Sequence, residues 1–196
     1  MRIILLILTF FSVFCNYQCN ANEHKFSDNL LTSQKNNSSA FFEGDSLNYI
    51  FTPPQQFKID FDNATADSYS LALIPKKDNY GDAEITIGVN IFSTKSEFKI
   101  NNLIQQDTIS IKEHYGENLI INKINDVFNF NGEKLIAFYF ENKIEFIPNV
   151  ITAYYFKNRE VIIFEMSITN NYPRFKAEQY FTQVTEGFKV LPKRKL

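Results

Sequence analysis

The stretch Asn149-Val150-Ile151-Thr152-Ala153-Tyr154-Tyr155-Phe156, followed by Lys157-Asn158-Arg159 and then Glu160-Val161-Ile162-Ile163-Phe164-Glu165-Met166-Ser167-Ile168, decides the fold. Two runs dense in β-branched and aromatic residues flank a short polar turn, which is the pattern of a β-hairpin. Toward the N-terminus, residues 119–130 and 134–141 are again strand-like, and Asn131-Gly132 joins them with the strongest short-range hairpin signal. Hairpins rather than helical crossovers therefore join most strands, and the sheet must be largely antiparallel.

Before these hairpins a helix is signalled by Thr94 as a cap, with Glu97 three residues later, and by Gly116 as its stop. Between them Phe98, Leu103, Ile104, Ile111 and Tyr115 recur near helical spacing, and Ile100 and Thr108 broaden the stripe, so the helix covers a sheet. Earlier still, order is expected to begin near residues 47–51, and three strands precede the helix, over 57–61, 69–74 and 84–92. The first of them alternates at Phe57, Ile59 and Phe61, and the last at Ile85, Ile87, Val89 and Ile91. At the other end, residues 173–188 place Phe175, Tyr180, Phe181, Val184 and Phe188 near helical spacing, with Pro173 early and Gly187 late. The expected fold is α+β, a largely antiparallel sheet of about six to seven strands covered by two main helices. Residues 46–191 form its single domain, preceded by a flexible polar tether over 22–45 and followed by a basic tail over 192–196.

This order of elements resembles the PsbP-like fold, an α/β/α sandwich named for an accessory subunit of photosynthetic oxygen evolution. The fold occurs also in small exported bacterial proteins and in a Ran-binding nuclear import factor. The resemblance covers about residues 47–191. It rests on Phe57-Lys58-Ile59-Asp60-Phe61, the long helix after Phe92, the Asn131-Gly132 hairpin, and the closing Tyr180-Phe181-Thr182-Gln183-Val184 segment with Phe188. It implies an architecture and no particular activity, because members of the fold do different jobs.

Residues 1–21 read as a secretory signal peptide: Arg2, an apolar run from Ile3 to Phe14, and Cys19-Asn20-Ala21 ahead of polar Asn22. Cleavage is expected after Ala21. The run is shorter than the about 20 apolar residues that cross a bilayer, so no transmembrane segment is expected in the mature chain. Lipid attachment at Cys15 is the alternative, and bulky Phe14 before it stands against that processing. Both cysteines fall within the signal, which leaves the mature chain without disulfide, thiolate ligand or cysteine nucleophile. The chain is expected to be exported, to a periplasm or beyond the cell.

Without Arg2 the chain carries 19 basic and 22 acidic residues, which gives no electrostatic case for nucleic acid. The 21 Phe and 10 Tyr, with no Trp, read as core and core edge. His24 lies in the tether; His114 lies near the end of the first long helix, where the helix dipole favours a cation. Asp60, Asp62, Asn63 and Asp67 are oxygen donors close together, and Asp78, Asp82 and Glu84 form a second acidic patch. Yet Ala64 stands where a calcium loop wants a third oxygen, and the loop's glycine is missing. Glycine-rich phosphate loops, nucleophile elbows and zinc signatures are likewise missing from the sequence. The expectation is thus no catalytic, cofactor or metal site, and an exported, monomeric, non-enzymatic domain that binds a protein partner or an envelope component. The alternative is a carrier or sensor of an apolar small molecule held between sheet and helix. A third reading, hydrolysis on His114 or the Asp60 and Asp62 pair, completes the set.

Overall fold

The computed structural model describes residues 39–94, 98–116, 119–144, 147–169 and 171–193, the side chain of His114 excepted. Its centre is the hairpin of β8 (Asn149–Lys157) and β9 (Glu160–Ile168), nine residues each, in register from Lys157 opposite Glu160 to Asn149 opposite Ile168. Asn158 and Arg159 both have positive φ, at 52° and 68°, which is the two-residue turn whose twist matches that of paired strands. On the outer side of β8 lie β7 (Ile136–Glu141) and the edge strand β6 (Ile120–Ile124); beyond β9 lie β5 (Ile85–Ser93), β4 (Leu71–Pro75) and the edge strand β3 (Phe57–Ile59). All pairs are antiparallel, so the sheet of seven strands runs β3-β4-β5-β9-β8-β7-β6.

Alternation divides this sheet into two faces. Ile162, Phe164, Met166 and Ile168 of β9, with Leu71, Leu73, Ile85, Ile87, Val89 and Ile151, build the larger core. Over it lie α3 (Arg174–Glu186), through Ala177, Phe181 and Val184, and a second sheet of three strands, ordered β1 (Ala40–Glu43), β2 (Leu47–Phe51), β10 (Phe188–Pro192). Phe188 ties the layers together, stacked on Tyr49 at 5.5 Å and edge-on to Phe164 at 5.3 Å. The opposite face is covered by α2 (Ile100–Tyr115), which buries Leu103 against Tyr154, Val161 and Ile163, and Ile111 and Tyr115 against Phe140 and Val150. The α+β sandwich read from the sequence is therefore present, with its two main helices on opposite faces. No helix among the described residues is long and apolar enough to cross a membrane.

The structure differs from expectation at four places. The strand starting at Phe57 ends at Ile59, because the Asp60 carboxylate accepts the Asn63 N–H at 3.0 Å and caps a short helix, α1 (Phe61–Ala66). Thr94 is not a helix cap: its N–H and hydroxyl both donate to the Arg159 carbonyl, at 2.7 and 2.9 Å, and α2 begins at Ile100; Glu97 lies outside the described residues. Phe188 does not close α3 but starts β10, with Phe188 and Val190 buried and Lys189 between them half-buried. Finally, β1 falls inside the stretch expected to be tether, since Ala40 and Phe42 alternate into the core.

Candidate functional site

The residues flagged in the sequence do not converge. Asp60 spends its carboxylate on the Asn63 backbone and side-chain amides, Asp62 is exposed, and Asp67 accepts the Tyr80 hydroxyl at 2.5 Å. In the second patch the Asp78 carbonyl accepts the Lys58 ammonium, and Asp82 belongs to a 3-10 turn at Tyr80–Asp82. Among the described residues no three His, Cys, Asp or Glu are placed to hold a metal ion. His114 stands one residue before the end of α2; Ala21, Cys15 and His24 lie outside the described residues.

A different group of polar residues meets beneath α2. On the helix-facing side of β9, Val161 and Ile163 are followed by Glu165, a carboxylic acid where the alternation calls for an apolar residue. Its cross-strand neighbours are Thr152 on β8 and Gly88 on β5. Gly88 leaves room for the ring of Tyr69, which passes 2.2 Å from where a Cβ would be, and the Tyr69 hydroxyl donates to Glu165 at 3.2 Å. From above, Asp107 interrupts the apolar stripe of α2 between Leu103 and Ile111. Burial is the main influence on both carboxyls. It pushes Glu165 up to about 8 against the pull of the Tyr69 hydrogen bond, with Asp107 adding repulsion, and Asp107 up to about 6 against the pull of Tyr154. The phenols of Tyr69, Tyr115 and Tyr154 are held above their usual range by burial and by the negative charge of Glu165. One hydroxyl is left over: Thr152 Oγ1, in a residue 2% exposed, has no hydrogen bond, while the Tyr154 hydroxyl lies against Asp107. The layer expected to hold an apolar ligand is thus apolar at its two ends and polar at its centre.

On the other face, a cleft of about 560 Å³ opens between β2, the end of α3 and the start of β10. Ile50, Pro54 and Phe130 supply apolar surface, Gln56 and Gln183 bond each other at 2.8 Å, and Glu186 and Lys189 carry opposite charges. Phe130, 62% exposed, projects from the tip of the β6–β7 connection with Lys189 Nζ 4.9 Å from its ring centre. That tip is held firmly. The Asn129 side chain accepts the Asn131 and Glu133 N–H groups at 2.9 Å each, and Gly132 takes a φ of 75° that glycine tolerates. The Phe130 N–H donates to the Phe188 carbonyl at 2.9 Å, and the Asn131 amide exchanges two hydrogen bonds with the Val190 backbone. Behind the tip, Glu133 would be raised by burial alone, but Lys157, Tyr155 and Asn129 together hold it down at about 2.

No family model matches the chain, and no curated protein does. Among solved structures the chain is similar to the solution structure of the cyanobacterial PsbP protein CyanoP from Synechocystis. The two share 10% identity and a TM-score of 0.47 over 82% of this chain and 96% of that one. The likeness is one of architecture.

Proposed function

We propose that the chain is an exported binding domain, acting without catalysis of its own, that engages a protein partner through the Phe130 cleft. Export follows from the signal-peptide reading of residues 1–21. The observation that supports binding is Phe130 itself, a large apolar side chain held in water by a tip whose backbone is fixed on three sides. Ordering an exposed aromatic before contact lowers the entropic cost of association, and aromatic anchors of this kind carry most of the energy of interfaces. The Gln56 and Gln183 amides, with the charges of Glu186 and Lys189, suit the backbone and side chains of a polypeptide segment. The test is crosslinking in the native envelope. A photoreactive residue at position 55, on the rim of the cleft, should yield a discrete protein adduct that Phe130→Ala abolishes while leaving the melting temperature unchanged. An adduct pattern untouched by Phe130→Ala would remove the cleft from the function.

A further inference from the structure

Apolar surface continues from the Phe130 cleft across the outer face of the small sheet. There the register sets Ile50 of β2, which lines the cleft, between Phe41 of β1 and Lys189 of β10. Phe41 is 39% exposed and Phe130 62%, so a row from Phe41 through Ile50 to Phe130 offers apolar surface across three strands, a width of about 10 Å. The chain enters the fold at this place. Ala40, the first residue of β1, lies opposite Phe51, and the Thr52 N–H that follows donates to the Gly187 carbonyl at 2.9 Å; Thr52 and Gly187 both line the cleft. Residues 22–38 lie outside the described residues, and Ser39 joins them to the fold at the mouth of the cleft. Their sequence is uneven. Phe26, Leu30 and Leu31 are the only large apolar residues between Asn22 and Ser39, and Lys25 and Asp28 near Phe26 carry one charge of each sign. The cleft also carries one of each, Glu186 and Lys189. An arm that served only as a polar spacer would have no use for three such apolar side chains. The eight polar residues from Thr32 to Ser39 reach up to about 26–29 Å, more than twice the width of the row.

We propose that residues 26–31 of the same chain occupy the Phe130 cleft in the free protein, setting Phe26, Leu30 and Leu31 on the row of Phe41, Ile50 and Phe130, and that a partner must displace them. This rests on the reading of the cleft as the binding surface and adds the regulation of that surface. Attachment through so short a linker gives a local concentration on the order of millimolar, so a contact with a dissociation constant well below that is made in nearly every molecule. The partner's apparent affinity then falls in proportion to the fraction of molecules whose cleft is open.

The experiment places a photoreactive residue at position 55 of the chain that begins at Asn22 and irradiates it twice, once purified and once in the native envelope. In the purified protein the expected product is a monomer with residue 55 joined to the segment 26–31, located by tandem mass spectrometry. The triple variant Phe26→Ala, Leu30→Ala, Leu31→Ala should cut that product about tenfold with an unchanged circular dichroism spectrum, and in the envelope it should raise the yield of the protein adduct severalfold. Absence of the internal link, or a link that survives the triple variant, would overturn the proposal. So would a crosslinked dimer, which gives the cleft to a second copy, or an envelope adduct whose yield the triple variant leaves unchanged. An internal link with no adduct in the envelope would retire the protein-partner reading and leave the segment standing as the occupant of the cleft.

Discussion

Replacing Glu165 by Gln should make the protein more stable in alkaline solution, against the usual sign for a change in a core. The carboxyl titrates near 4.5 in the unfolded chain and at about 8 in the fold, because burial disfavours its charged form. The folded state holds a proton that the unfolded state has released. Stability from this source is full below about pH 4.5 and is lost as pH rises through 8. Between pH 6 and 8.5 the loss amounts to between about 2 and 3 kcal/mol, and screening through the solvent window of Glu165 brings it to about 2 kcal/mol. Asp107, raised to about 6, has spent nearly all of its effect by the start of that interval, so the interval isolates Glu165. Urea unfolding with a slope near 2 kcal/mol per molar should then show the wild-type midpoint falling by about 1 M from pH 6 to 8.5. Glu165→Gln, which keeps the shape and removes the charge, should fall by less than half as much. A wild-type midpoint that is flat over this range, or a variant that falls in parallel with it, would refute the account of this centre.

Three further outcomes follow from other parts of the fold. Glu160, 1% exposed, accepts the Ser46 N–H and hydroxyl, the Leu47 N–H and the Tyr49 hydroxyl. Glu160→Ala should therefore cost about 3 kcal/mol in thermal unfolding, and Tyr49→Phe about 1 kcal/mol. Gly88→Ala would drive a methyl into the Tyr69 ring, and it should cost about 1–3 kcal/mol in urea unfolding. Arg159→Gly relieves a non-glycine residue at a φ of 68° and leaves the carbonyl bonded to Thr94, so it should raise stability by about 0.5–1 kcal/mol in the same unfolding assay.

The β8–β9 hairpin was legible because long apolar runs flank one short polar turn, and α2 because its stripe recurs over four turns. β10 was not, since Phe188 satisfies the helical spacing of α3 as well as the two-residue period of a strand, and only the pairing with β2 settles between them. Asp60 misled in a similar way: alternation placed it in a strand, while its side chain was already committed to the next turn. For the polar centre, the local half was on display, an acid inside each of two apolar patterns. The other half was not, because nothing local to α2 or β9 says that Asp107 and Glu165 will face each other. That juxtaposition is made by packing a helix on a sheet.

The strand β2 has β1 on one side and β10 on the other, and the last of these is nearly the last described segment of the chain. The hairpin β1–β2 thus has its lasting neighbour only after almost the whole domain has been made. A contact of such long range comes late and at a high cost in loop closure, so the early strands stay available to water and to chaperones while the rest is synthesised. Completion of the smaller sheet is thereby tied to completion of the domain, and loss of β10 would leave β2 with an open edge.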